Sequence, residues 1–84
     1  MEGSEMQTEV HLFATLRQLS PNNAPTGVFL VTLPEGSTVK TLLEKIGISP
    51  EKVHMRMVNG VGVTEDYSLK DNDRVGLFPP IGGG

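Results

Sequence analysis

One stretch of the chain has the apolar spacing of an amphipathic α-helix. Four apolar residues recur there at i, i+3, i+4 and i+7, namely Val39, Leu42, Leu43 and Ile46. That spacing places all four on one helical face. Ser37 or Thr38 can cap the first turn, and Gly47 stands where a left-handed residue ends many helices. The pattern predicts one main helix, followed by a short helical turn that begins at Pro50.

Around this helix, apolar runs predict four to five β-strands. The runs cover residues 9–16, 28–33, 53–57, 61–64 and 74–78. The first run is apolar almost throughout, which predicts a central strand covered on both faces. Asn59-Gly60 is typical of a two-residue hairpin turn. Met55 and Met57 have strand spacing and are expected in the core. The turn residues of segment 20–27 predict a long connection between the first two strands, which form a hairpin.

This order of elements predicts an α+β fold, a mixed sheet of four to five strands packed on one main helix. Residues 1–8 are polar and acidic and are expected to form a flexible arm. Residues 9–78 would form the single domain, and residues 79–84 an extended C-terminal tail. The chain has 84 residues, which allow one modest core and leave little room for an enclosed active site.

Composition removes several classes of function. The chain has no cysteine, so disulfides, thiolate metal sites and a cysteine nucleophile are excluded. Its formal net charge is −3, and its seven basic residues are scattered, which argues against nucleic acid as a partner. No apolar run approaches the length that spans a bilayer, and residues 1–9 do not form a signal peptide. We therefore expect a cytoplasmic protein without a membrane partner.

Candidate catalytic and metal motifs are weak. His11 and His54 lie on separate predicted strands, and we interpret them as ordinary strand histidines rather than metal ligands. Asp71-Asn72-Asp73 has some features of a calcium loop, but Gly82 occupies the position where such a loop needs a glutamate, so a turn is the better interpretation. We expect no metal site, no bound cofactor and no catalytic activity of the chain's own.

The C-terminal tail differs from the rest of the chain. Phe78-Pro79-Pro80-Ile81 follows a predicted strand directly and leads into Gly82-Gly83-Gly84. Prolines stop sheet pairing and favour an extended backbone, so the segment from Phe78 could reach roughly 20 Å. Glycines without side chains could enter a narrow channel in another protein. The carboxylate of Gly84 would then be the distinctive reactive group, although a glycine-rich end is also commonly just a disordered terminus.

Four parts of the chain carry a resemblance to a known family: Val10–Leu19, Glu35–Val39 with Leu42 and Leu43, Val58–Gly60, and Leu69–Val75 followed by Phe78–Gly84. They resemble the opening strand, helix entry, strand-ending turn and C-terminal block of the ubiquitin-like β-grasp sulfur carriers. The closer resemblance is to the small subunit of molybdopterin synthase, and the more distant one is to the thiamine sulfur carrier protein. Phe-Pro-Pro, two further residues and Gly-Gly is the ending of the molybdopterin type, so Gly83 and Gly84 match the functional pair.

The resemblance implies a carrier rather than an enzyme. An E1-like adenylyltransferase would use ATP to adenylate Gly84, and a persulfide donor would convert the adenylate to a thiocarboxylate. A large synthase subunit, or another sulfur-accepting enzyme, would receive the sulfur. The expected partner-binding residues are Phe78, Pro79, Pro80, Ile81, Gly82 and Phe13. Two alternatives stay open: sulfur delivery to thiamine thiazole or another acceptor, and a ubiquitin-like modifier joined through Gly84 to lysines.

Overall fold

The computed structural model describes residues 4–21 and 26–80. Within them are five strands and one α-helix: β1 Glu5–Leu12, β2 Val28–Pro34, α1 Val39–Ile46, β3 Met55–Val58, β4 Val61–Gly62 and β5 Arg74–Phe78. Two short 3₁₀ helices, Ala14–Leu19 and Pro50–Lys52, complete the elements. The structure confirms the predicted α+β class, with one main helix and a mixed sheet. No helix in the described ranges is long and apolar enough to cross a membrane.

The sheet brings the two ends of the domain together at its centre. Its strand order is β2-β1-β5-β3-β4. β1 runs antiparallel to β2 and parallel to β5, whereas β3 runs antiparallel to both β4 and β5. The last strand therefore lies between β1 and β3. Pro79 and Pro80 therefore leave the sheet from its middle rather than from an edge.

The helix begins and ends as its sequence predicts. Thr38 is the N-cap, and its hydroxyl accepts a hydrogen bond from the Thr41 amide at 3.3 Å. Ser37 does not cap, because its hydroxyl donates instead to the Pro34 carbonyl at 2.7 Å. Gly47 ends the helix with φ 80°, a left-handed conformation that costs glycine little. The start and end signals of this helix are therefore local.

The core lies between α1 and one face of the sheet. Inward residues alternate along the strands, which is the period of a sheet with one buried face. Among the described residues, the largest fully buried side chains are those of Thr8, Val10, Leu12, Leu33, Val39, Leu42, Leu43, Val75 and Leu77. The one polar member, Thr8, donates its hydroxyl hydrogen bond to the Val31 carbonyl at 3.2 Å, so its burial leaves the hydroxyl satisfied.

The prediction of a flexible arm at residues 1–8 is wrong for residues 5–8, which belong to β1. β1 begins at Glu5, four residues before the predicted strand, and pairs residue by residue with β2 from Glu5 opposite Pro34 onward. The alternation of burial explains the error. Met6 and Thr8 are buried, while Glu5 and Gln7 are exposed. A strand with one solvated face looks polar when only its outward residues are considered.

The other end of the first strand also differs from the prediction. β1 ends at Leu12 rather than at residue 16, and Ala14 turns the chain with φ 52° into a 3₁₀ helix. Leu16 is still buried, because this helix directs it back onto the core. β1 is an inner strand as expected, but only one of its faces is covered. The continuous apolar run therefore spans two elements, β1 and the 3₁₀ helix, and each buries the apolar residues of one of its sides.

A polar network fixes the turn region opposite the tail. Asn59 and Gly60 have φ 52° and 85°, which confirms the predicted hairpin turn, although β4 ends at Gly62 rather than at residue 64. The Asn59 side chain donates to the Asp73 carboxylate at 2.9 Å and accepts from the Arg74 amide at 3.0 Å. Asp73 is buried and also accepts from the Lys70 amide. The Asp71–Asp73 segment is thus a turn that holds the start of β5.

Candidate functional site

The sheet face that points away from α1 is not covered by another element of the described chain. Side chains on that face are exposed or half-buried even on the inner strands β1, β5 and β3. We call this surface the open face. Its members come from the outward positions of three neighbouring strands and the residue after β1: Glu9, His11, Phe13, Met55, Met57, Arg74, Gly76 and Phe78. Phe13 is 39% exposed and Met55 is 46% exposed. Large apolar side chains on the surface of a small domain indicate a site that contacts another molecule.

The last strand is held firmly at the point where the tail begins. The Phe13 amide donates to the Leu77 carbonyl at 3.1 Å, and the His54 amide donates to the Phe78 carbonyl at 2.7 Å. Because these bonds come from opposite sides of β5, they fix the direction of the backbone at Phe78. Pro79 and Pro80 follow and have no N–H to continue the pairing. The tail therefore starts from a rigid root.

Two aromatic rings mark this root. Phe13 and Phe78 stack with their ring centroids 4.3 Å apart and their planes 1° from parallel. Gly76 is the β5 residue beneath them. A Cβ at that position would stand 3.4 Å from Phe13 Cε2 and 3.6 Å from Phe78 Cε1. These are van der Waals contact distances, so the two rings pack directly over Gly76.

The methionines extend this apolar surface, which corrects the prediction that they belong to the core. Met55 pairs with Phe78 and Met57 pairs with Gly76 across the β3–β5 ladder, so both point outward. The inward position between them is Arg56, whose guanidinium bonds Glu65 at 2.8 Å. The alternation along β3 is as predicted, but the two sets of side chains lie on the opposite faces from those expected. A cavity of about 660 Å³ lies beside Met55 and is also lined by Phe78, Pro79 and Pro80.

Charged groups border the apolar centre. The His11 Nε2 and the Glu9 carboxylate are 2.5 Å apart, and the His11 ring lies 6.4 Å from that of Phe13. Arg74 is exposed next to Glu9 in the neighbouring strand. His54 lies in the bend before β3 rather than in a strand, and its backbone holds Phe78. Sequence reasoning placed His11 on a strand, and the structure also puts it beside the aromatic pair.

Of the predicted site residues, the structure brings together Phe13, Phe78, Pro79 and Pro80. Phe78 and Pro79 are half-buried, while Phe13 and Pro80 are exposed. Ile81, Gly82, Gly83 and Gly84 lie outside the described residues. In residues 4–21 and 26–80, no three His, Asp or Glu side chains are grouped so that they could hold a metal ion. The described part of the site is thus an exposed, largely apolar surface around the tail root.

Sequence reasoning missed Met55, Met57 and Gly76 as parts of this surface. A signal was present in the last strand. Val75 and Leu77 alternate with Arg74, Gly76 and Phe78, so the strand period alone places the second set on the other face. Which set faces the helix cannot be read from one strand. Pairing β5 with β1 and β3 then assigns the neighbouring residues to the same face.

Comparison with known proteins gives a family match over most of the chain. The model of the ThiS family matches residues 10–84. No curated protein sequence matches the chain significantly. Among solved structures, the putative molybdopterin converting factor subunit 1 from Pyrococcus furiosus is 33% identical, with a TM-score of 0.71. The alignment covers 90% of this chain and 99% of that one.

Two further solved structures have the same fold at lower identity. Small archaeal modifier protein 1 from Haloferax volcanii is 20% identical with a TM-score of 0.72, over 90% of this chain and 99% of that one. Subunit 1 of the molybdopterin-converting factor from Helicobacter pylori, solved in complex with subunit 2, is 21% identical with a TM-score of 0.58, over 94% and 100%. These matches confirm the ubiquitin-like β-grasp fold. The chain belongs to the ThiS family, a family of ubiquitin-like sulfur carriers.

Proposed function

We propose that this chain is a sulfur carrier whose Gly84 carboxylate is adenylated and then converted to a thiocarboxylate. The observation that carries the proposal is the position of the tail root. The end of β5 is held from both sides, by the Phe13 amide at the Leu77 carbonyl and by the His54 amide at the Phe78 carbonyl, and Phe78 lies in the open face. A partner that binds this apolar surface would therefore also contact the start of residues 79–84, the segment that leads to Gly84.

The chemistry needs partners, because the carboxylate oxygen is a poor leaving group. An adenylyltransferase would join the Gly84 carboxylate to AMP and release pyrophosphate from ATP. The terminal sulfur of a persulfide would then attack the acyl carbon and displace AMP. Cleavage of the resulting acyl disulfide by a thiol would leave the thiocarboxylate on Gly84 and a disulfide on the donor. This chain has no cysteine, so the persulfide and the thiol that cleaves the acyl disulfide would both belong to other molecules.

The role of the described residues would be binding and orientation. Phe13, Phe78 and Met55 offer apolar area to each partner in turn, and burial of such area drives association. The two hydrogen bonds at β5 fix the direction of Pro79-Pro80, which limits the conformations the tail must lose on entering a partner's channel. Ile81, Gly82 and Gly83 would occupy that channel.

We further propose molybdopterin synthesis as the pathway, with this chain as the small subunit of a two-protein synthase. The 33% identity to the Pyrococcus furiosus protein described as a putative molybdopterin converting factor subunit supports this choice. The large synthase subunit would then be the second partner. Delivery of sulfur to thiamine thiazole, or to another acceptor, and conjugation to protein lysines are the competing outcomes of the tests.

Removal of one residue at each end of the chain tests the proposal. We expect deletion of Gly84 to abolish sulfur transfer in a reaction with the cognate adenylyltransferase, ATP and a persulfide donor. The reason is that the acyl group would then belong to Gly83, one residue short of the reacting position. Deletion of Met1 is the matched control and should leave transfer unchanged. Transfer by the Gly84-deleted chain at the full rate would contradict the proposal.

The acceptor is tested in the same reaction. Sulfur released only when the large synthase subunit and its pterin precursor are added would support the molybdopterin pathway. Release to a thiazole synthase instead would assign the carrier to thiamine synthesis. Isopeptide adducts between Gly84 and lysines of other proteins would identify a modifier.

A further inference from the structure

The outer edge of β2 is the longest unpaired edge in the described sheet. β2 spans Val28–Pro34 and pairs only with β1, whereas β4 at the other edge has two residues. Natural sheets protect such edges with charges, bulges or short strands. β2 contains no charged residue, and its Leu30 is 60% exposed. Pro34 limits pairing at one end, but the six strand residues before it carry no such protection.

The backbone groups of this edge have a defined direction. The Leu12 amide donates to the Gly27 carbonyl at 2.8 Å. Hydrogen-bonded positions alternate along an antiparallel pair, so Phe29, Val31 and Leu33 direct their backbone groups toward β1. Leu30 and Thr32 therefore direct theirs away from the sheet. Within residues 4–21 and 26–80, no backbone hydrogen bond reaches Leu30 or Thr32 from another element.

We infer that the β2 edge pairs antiparallel with the β2 edge of a second copy of this chain, which joins the two five-stranded sheets into one continuous ten-stranded sheet. The arrangement of donors and acceptors is symmetric about Leu30. A two-fold axis through Leu30 lets each Leu30 amide donate to the Leu30 carbonyl of the other copy. The same axis lets each Thr32 amide donate to the Val28 carbonyl of the other copy. This isologous register uses the outward groups of both strands.

Side chains favour this occupant as well. In that register Leu30 stands opposite Leu30, and Val28, which is 37% exposed, stands opposite Thr32. Apolar and β-branched pairs stabilise adjacent strands, whereas like charges placed opposite each other destabilise them. A two-fold axis puts identical residues face to face, so a self-pairing edge must be uncharged. β2 meets that condition.

The dimer is compatible with the carrier function and does not depend on it. β1 separates β2 from β5, so the Phe13–Phe78 pair stays accessible when β2 is covered. An axis normal to the sheet would place both open faces on the same side and direct the two tail roots in opposite directions. Each copy could then meet its own partner. The short junction predicts a weak dimer, with dissociation in the range of about 10 µM to 1 mM.

Sedimentation velocity of the full chain across that concentration range tests the inference. We expect Leu30→Lys to weaken dimerisation by at least about tenfold, because two lysines would face each other across the axis. Val61→Lys is the matched control, since Val61 is 63% exposed on β4 at the opposite edge. It should change the dissociation constant by less than about twofold.

Amide hydrogen exchange gives a second readout on the unmodified chain. The Leu30 and Thr32 amides should exchange quickly in dilute solution and become protected as the concentration rises. The Val28 amide already donates to the Thr26 hydroxyl at 3.3 Å within the chain and is not used as a reporter. A chain that remains monomeric throughout, with unprotected Leu30 and Thr32 amides, would overturn the inference. Equal weakening by the two lysine substitutions, or protection of these amides only by a different protein, would overturn it too.

Discussion

The two faces of the central strand β5 have opposite roles. Leu77 points into the core and is fully buried, whereas the next residue, Phe78, points to the open face and is only half-buried. The same contrast holds for the neighbouring strand, where Leu12 is fully buried and the following Phe13 is 39% exposed. Because strand side chains alternate, one short segment can supply both the core and the contact surface.

This contrast explains how so small a domain presents large apolar side chains without losing its core. The residues that stabilise the fold and those that surround the tail root are neighbours in sequence but do not share a face. Substitutions on one face should therefore change the free energy of unfolding, and substitutions on the other should change partner binding. The predictions that follow test this separation.

The largest expected effect is on the covered face. Leu77→Ala should lower the free energy of unfolding by about 2–5 kcal/mol, because it leaves a cavity in a fully packed site. Met55→Ala on the open face is the matched control and should cost less than about 1 kcal/mol, since Met55 is 46% exposed. Urea denaturation followed by circular dichroism measures both. Equal losses would show that the two faces are not separate.

A smaller effect is expected on the open face. Phe13→Ala should weaken binding to the adenylyltransferase roughly tenfold, because it removes one of the two stacked rings at the tail root. Val61→Ala removes an exposed apolar side chain that is not part of the open face and should leave binding unchanged. Isothermal titration calorimetry of both variants measures the affinities. Unchanged binding by the Phe13 variant would exclude the aromatic pair from the interface.

The smallest effect is expected for the charged border of the open face. His11→Ala removes a partly exposed pair with Glu9, and such pairs contribute about 0.2–1 kcal/mol to stability. We expect sulfur transfer to stay within about threefold of the unmodified chain, a change of less than 1 kcal/mol. Transfer rates measured alongside His54→Ala check this. A loss well beyond that range for His11 alone would give its ring a direct role in partner contact.

The sequence was sufficient to predict the elements with local signals. The helix has its apolar spacing, its Thr38 cap and its left-handed Gly47, and the hairpin turn has Asn59-Gly60. Each of these signals lies within a few residues of the feature that it specifies. The tail root was also predicted, because Phe78 and the two prolines end the last strand.

The assignment of strand faces could not be predicted in the same way. Alternation along β3 is visible in the sequence, but the covered face depends on where α1 packs, which is a contact between distant segments. Met55 and Met57 were therefore placed in the core, and Arg56 outside it. The early start of β1 at Glu5 was missed for a related reason, since its pairing with Pro34 joins residues far apart in sequence.

The central claim is that Gly84 carries sulfur, and the intact mass of the chain tests it most directly. The protein would be purified from cells that also produce its cognate adenylyltransferase and a persulfide donor, and its mass and that of its C-terminal peptide would be measured. The account predicts the mass gain of one oxygen replaced by sulfur, located at Gly84. An unmodified Gly84 in the presence of an active adenylyltransferase would contradict it.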